Sequence, residues 1–90
     1  MKILAVCGFG CGSSMILKLS LEKVLSDLNI KAEVENTDLI GARTIDCNMI
    51  FTSEEFKQEL DKEVDVPIYT VVRYMDVEEI KSKMKEILNI

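Results

Sequence analysis

The chain reads as a small α/β domain, a three-layer sandwich whose four-stranded parallel sheet, in the order 2-1-3-4, is flanked by helices. Three observations predict this. Short apolar runs alternate with stretches of helical period, the signature of β/α units joined by right-handed crossovers. The first run, residues 2–7, is apolar almost throughout, as a strand buried on both faces inside the sheet must be. Directly after it, three of the chain's four glycines fall within five residues, at the strand end where an open parallel sheet receives its ligand.

The elements follow in order. The run from Lys2 to Cys7 is brief and ended by Gly8, which suits a strand better than a helix. From Ser13 onward, Leu17, Leu21, Val24, Leu25 and Leu28 recur at helical spacing, with Lys18, Glu22, Lys23, Ser26 and Asp27 off that stripe. This is an amphipathic helix of about four turns. Lys31 to Glu35 alternates polar and apolar side chains, with Ala32 and Val34 on one face, as a strand near a sheet edge does. Asn36 to Ile45 offers Asp38, Gly41 and Thr44 as turn or cap formers and is expected to be mostly irregular, with at most one helical turn. Asn48 to Thr52 is a third strand. Ser53 caps the helix that follows it, with Glu54 and Glu55 in the first turn and an end near Leu60. Pro67 to Val72, rich in β-branched and aromatic residues, is the fourth strand, with its Pro at the start where a missing N–H is tolerated. Asp76 caps a last helix with the stripe Val77, Ile80, Met84, Ile87 and Leu88.

Composition narrows the function. Ninety residues make one domain with one core, and roughly 60–65% of the unfolded chain's surface is buried at this size, which leaves no room for an enclosed substrate site. Lys and Arg total 11 against 16 Asp and Glu, and the net charge of −5 argues against nucleic acid or an anionic membrane as main partner. No run approaches the ~20 apolar residues of a membrane span. Met1 to Cys7 faintly resembles a lipoprotein cleavage site but lacks the apolar stretch of a signal peptide. Three cysteines at unpatterned spacings then imply free thiols in a reducing cytoplasm. With no histidine at all, Cys-His and Ser-His pairs and most zinc sites are excluded. No metal or cofactor is expected.

The chemistry is expected in Cys7-Gly8-Phe9-Gly10-Cys11-Gly12-Ser13-Ser14. Alternating glycines let successive N–H groups turn toward one centre, where the following helix also presents its unpaired first-turn donors. Such a loop binds phosphate and equally stabilises a thiolate at Cys7. A free cysteine with pKa ~8.5 is only a few per cent ionised at neutral pH, whereas one at a helix terminus falls to ~3.5–7.5. Activation therefore needs no imidazole. Ser13 and Ser14 are suited to capping the helix or donating into the loop. No lysine lies between Gly8 and Ser14, so this is not a nucleotide P-loop, and glycines spaced by twos miss the dinucleotide fingerprint. Small cysteine phosphatases hold the phosphoryl oxygens with an arginine fork in this loop; at the matching position stands Ser13. Its absence favours a carrier, which forms a phosphocysteine and protects it from water, over a hydrolase.

In these residues, from Ile3 through Ile16, the chain resembles the enzyme IIB components of the bacterial phosphoenolpyruvate-dependent sugar phosphotransferase system, in particular the ascorbate type with its galactitol-type and lactose-type relatives. The signature is C-G-x-G-x-G, then Ser or Thr, then Ser. Weaker likeness continues through Met49 to Ser53 and Val72 to Met75. The resemblance implies a protein-phosphohistidine–sugar phosphotransferase component in the cytoplasm. Cys7 would accept a phosphoryl group from a phosphohistidine of enzyme IIA and pass it to a sugar bound by the membrane component, enzyme IIC. Cys11 occupies a variable place in the signature. A small cysteine phosphatase or arsenate-reductase-like enzyme, and a thiol-redox or anion-binding adaptor, are the alternatives.

Outside the loop, Arg73 is an accessory candidate at the same end of the sheet, against a solvated strand-end arginine, and Thr52 and Ser53 invite a similar reading, with Ser53 safer as the helix cap. Cys11 lies four residues from Cys7, which makes a blocking disulfide conceivable, with a filler residue preferred. Cys47 reads as a small hydrophobe. Glu78 and Glu79 read as first-turn charges. Met15 and Ile16 are either an apolar docking patch or core.

Overall fold

The computed structural model describes residues 1–6 and 12–90, and of residues 12–14 only the backbone. Strands and helices alternate along them: β1 (Lys2–Val6), α1 (Gly12–Asp27), β2 (Glu33–Thr37), α2 (Leu39–Thr44), β3 (Met49–Thr52), α3 (Glu54–Leu60), β4 (Ile68–Thr70) and α4 (Val77–Leu88). The four strands form one sheet in the order β2-β1-β3-β4 with every pairing parallel, as the sequence predicts.

Period-two alternation along the inner strands divides the interior in two. Ile3 and Ala5 of β1, with Met49 and Phe51 of β3, face a core completed by Leu17, Leu21, Val24 and Leu25 of α1 and Ile80 and Met84 of α4. Leu4, Val6 and Ile50 face the other way, against Ala42 of α2 and Leu60 of α3. Both faces of β1 and β3 are thus covered, so their sequences show no polar alternation. Cross-strand packing adds the tilted ring pair of Phe51 and Tyr69, which lie in register with centroids 5.6 Å apart.

Three elements depart from the sequence expectation. The second strand runs 33–37 rather than 31–35, because it pairs residue by residue with β1 from Lys2↔Glu33 to Val6↔Thr37. Its face assignment survives, since the shift is by two and Val34 stays buried. The 36–45 stretch, expected to be mostly irregular, holds the six-residue α2. Asp38 caps it by accepting from the Gly41 N–H at 2.8 Å, Ala42 is buried, and Gly41 lies so close to β2 that an added Cβ would collide with Thr37 Oγ1. The fourth strand stops at Thr70 instead of Val72. The Val71 N–H still bonds the Thr52 carbonyl at 3.0 Å, but the ladder ends there, and the N–H groups of Val72 and Arg73 are both taken by the side chain of Glu79.

The longer helices end alike. In Leu28-Asn29-Ile30 and again in Leu88-Asn89-Ile90, the asparagine takes a left-handed conformation at φ 58. Its own N–H reaches back to Ser26 or Glu86 and that of the following isoleucine to Leu25 or Lys85. This is the Schellman arrangement, with Asn where Gly is commoner.

Candidate functional site at the carboxyl edge of the sheet

β1 sits between β2 and β3. The crossover from β1 to β2 runs through α1 on one face, and the crossover from β3 to β4 through α3 on the other. The connections therefore diverge at the carboxyl ends of β1 and β3, which opens the crevice used for ligands in doubly wound sheets. In sequence, Cys7 follows Val6, the last residue of β1, and Gly12 is the first of α1. Cys7, Gly8, Phe9, Gly10 and Cys11 lie outside the described residues, as do the side chains of Ser13 and Ser14. What surrounds them is described.

α1 brings 16 residues of aligned peptide dipoles to this end, with first-turn N–H groups that have no partner within the helix. Its first turn carries no acidic side chain, whereas α3 has Glu54 and Glu55 and α4 has Glu78 and Glu79 there. The positive end of α1 is thus left uncompensated by its own side chains.

Thr52, the last residue of β3, is fully buried, and its hydroxyl donates to the Val6 carbonyl at 2.9 Å. A hydroxyl has one proton, so Thr52 has already committed its donor to the strand that leads into Cys7. Ser53 caps α3, accepting from the Phe56 N–H at 3.4 Å. Arg73 is exposed and stands three residues past the end of β4. It borders an open cavity of about 570 Å³ with Ile16, Ser53 and Met75. Met15 and Ile16 are themselves exposed and so belong to the surface beside the loop, not to the core.

One residue at this edge was assigned only a generic role from sequence. Glu79 accepts from the Val72 N–H with both carboxylate oxygens, at 3.1 and 3.2 Å, and from the Arg73 N–H at 3.3 Å. Its own N–H donates to the capping carboxylate of Asp76 at 3.1 Å. The sequence signal was a capping box, an acidic N-cap followed three residues on by Glu; here the glutamate reaches past the cap to the turn before it.

Cys47 is remote. It precedes β3 at the amino end of the sheet, half-buried beside Ile45, Val64 and Val66. Loss of hydration pushes its thiol above the ordinary value, opposed in part by the nearby Lys2 ammonium. Among the described residues no group of three His, Cys, Asp or Glu side chains could hold a metal ion, and no helix is long and apolar enough to cross a membrane.

The sheet order and its crossover geometry define the class: a small doubly wound α/β domain that presents the carboxyl ends of its inner strands. Residues 2–86 match the family model of the lactose/cellobiose-specific IIB subunit of the PTS system, and the chain belongs to that family, as a IIB component of a sugar phosphotransferase system. An ascorbate-specific PTS system EIIB component of Mycoplasma pneumoniae is 29% identical over 90 residues, covering 98% of this chain and 95% of that protein. Its counterpart in Escherichia coli O157:H7 is 40% identical over 55 residues, 48% of this chain and 54% of that one. In fold, the chain is similar to the lactose-specific IIB component domain of the phosphotransferase system from Streptococcus pneumoniae, with a TM-score of 0.64 at 11% identity, covering 99% and 95% of the two chains.

Proposed function

We propose that this chain is a cytoplasmic phosphoryl carrier, a single phosphotransfer domain of the ascorbate type, with Cys7 as its nucleophile. The observation that carries the reading is positional. Cys7 directly follows an inner parallel strand at the divergence of the crossovers, five residues before a helix whose first turn contains no competing carboxylate.

The Cys7 thiolate attacks the phosphorus of a phosphohistidine on enzyme IIA. The S–P bond forms, the P–N bond breaks, and the imidazole leaves with the electron pair. In the second step a hydroxyl oxygen of the sugar held by enzyme IIC attacks the same phosphorus, the S–P bond breaks, and the thiolate is regenerated as the hydroxyl proton is lost. Backbone donors of Gly8, Phe9, Gly10, Cys11 and Gly12, with the hydroxyls of Ser13 and Ser14, hold the phosphoryl oxygens in both steps. The chain's lack of histidine fits this division of labour, since the partner supplies the imidazole. Thr52 acts indirectly, by holding the carboxyl end of β1.

Mass spectrometry after incubation with phosphoenolpyruvate, the general phosphotransfer proteins and a matched IIA tests the reading. One acid-stable, iodine-labile thiophosphate is expected on the wild type and on Cys11→Ser, and none on Cys7→Ser. Labelling that survives loss of Cys7 refutes it, and turnover of a generic aryl phosphate would indicate a phosphatase instead.

A further inference from the structure

We propose that Glu79 is a positioning residue. It fixes the turn over residues 72–76 as a docking element for the phosphorylated donor domain, with Arg73 as the contact that the donor meets. The proposal rests on the carrier reading above and names a part of its partner surface.

The first support is the cost of the geometry. Had β4 continued, the Arg73 N–H would face β3 and the Val72 N–H the open side, and their side chains would alternate across the sheet. Glu79 instead gathers both N–H groups with its carboxylate while Asp76 holds the Glu79 N–H. The result places apolar side chains in water: Val72 is 88% and Met75 73% exposed. The Arg73 guanidinium between them makes no salt bridge among the described residues. These exposed groups share a cavity with Ile16 of α1, and Met15 and Leu19, its neighbours on the opening turns of that helix, are exposed as well. Apart from Ile40 and the chain ends Met1 and Ile90, they are the large hydrophobic side chains exposed among the described residues. Apolar surface concentrated in this way, around a cation and beside one edge of a sheet, marks an interaction site.

The second support is reach. Strands lie about 4.8 Å apart, so β4, two strands from β1, ends roughly 10 Å from the end of β1. A partner that buries about 800 Å² per side covers a disc of roughly 16 Å radius. A donor domain that brings phosphorus to Cys7 therefore lies over the turn as well.

Charge selects the donor over the acceptor. A phosphorylated IIA brings its negative phosphoryl group toward this surface from outside, and Arg73 complements it across the interface. In the onward step that charge is already on Cys7 of this chain, where Arg73 and the phosphoryl group attract each other within one molecule and the cation offers the acceptor less.

The test is the rate of Cys7 phosphorylation against the concentration of phosphorylated IIA. Glu79→Ala is expected to raise KM about fivefold or more while leaving the maximal rate within about twofold. Glu79→Gln keeps one oxygen, which in the place of Oε1 still accepts from both N–H groups, but loses the charge and the second acceptor, and is expected to fall between it and wild type. Arg73→Ala should raise KM comparably, and the double variant by no more than the larger single effect, since both act through one turn. Arg73 makes no described salt bridge, so its variant keeps the test open even where Glu79→Ala unfolds.

An unchanged KM in Arg73→Ala, or additive effects in the double variant, overturns the proposal. So does a change confined to transfer toward IIC or to self-association. If wild-type protein takes no phosphoryl group on Cys7 from IIA, the carrier reading itself fails. If it does and only these variants behave as wild type, the docking role alone is lost.

Discussion

The buried hydroxyl of Thr52 and the carbonyl of Val6, 46 residues apart in sequence, are joined by a hydrogen bond of 2.9 Å. It ties the carboxyl ends of the two inner strands together one residue before Cys7, so β3 fixes where β1 delivers its next residue. A neutral hydrogen bond contributes about 1 kcal/mol net, and more when its loss strands a buried partner.

Replacing Thr52 separates the two roles of that bond. Thr52→Val keeps the shape and removes the hydroxyl, and is expected to cost about 1–2 kcal/mol and to slow Cys7 phosphorylation. Thr52→Ser keeps the hydroxyl and loses one methyl, at about 1 kcal/mol, and should retain the phosphorylation rate. Paired denaturant melts and phosphorylation assays check this; equal rates for the two variants would show that the bond serves stability alone.

The left-handed caps make a purely conformational prediction. An alanine at position 29 must adopt φ 58 with a Cβ and without a side chain that hydrogen-bonds locally. Asn29→Ala should therefore cost about 1 kcal/mol and lower Tm by roughly 4–8 °C. Asn29→Gly should be far milder.

The α2 segment is sensitive at two points. Asp38→Ala removes the cap on the Gly41 N–H and should cost about 1 kcal/mol. Gly41→Ala forces a Cβ onto the Thr37 hydroxyl, and thermal melts should show a greater loss than the helix propensity of Ala would return. Pairing it with Thr37→Ala should recover much of that loss, because the clash is with that side chain.

Alkaline pH should weaken the fold through two groups at the amino end of the sheet. Burial raises the Cys47 thiol above its ordinary 9.0. Hydrogen bonding to Glu35, with the charges of Glu35 and Glu33, raises Lys2 above 10.5. In each case the folded state holds its proton more tightly than the unfolded chain. The stability involved is fully present below the unfolded pKa and is lost as pH rises through the folded one. Urea midpoints should fall above about pH 9, and Cys47→Ala should flatten the first part of that fall. Because the Lys2 pairs are at the surface, added salt should reduce their part.

Much of this was readable from local pattern. The apolar runs at Ile3 to Val6 and Met49 to Phe51 could only be strands covered on both faces, and Ser53 and Asp76 cap the helices that follow as expected. α2 was less readable because Leu39, Ala42 and Ile45 span too few residues for a period to register, and Gly41, a poor helix former, is there to let α2 approach β2. The end of β4 was unreadable for another reason. Val71 and Val72 are alike in β propensity, and what separates them is a carboxylate seven residues further on.

The alternation of strands and helices, the parallel sheet with its first strand inside and the glycine-rich segment after that strand follow from residue periodicity and from the handedness of crossovers, whereas the single core expected from chain length is in fact two, one on each face of the sheet. The alignment of β1 with β3 through Thr52, the release of Val72 and Arg73 to Glu79, and the surface this makes beside Ile16 are contacts between distant segments. A side chain's donor finds its acceptor only after packing has set the distance, so these belong to the folded chain and not to any window of its sequence.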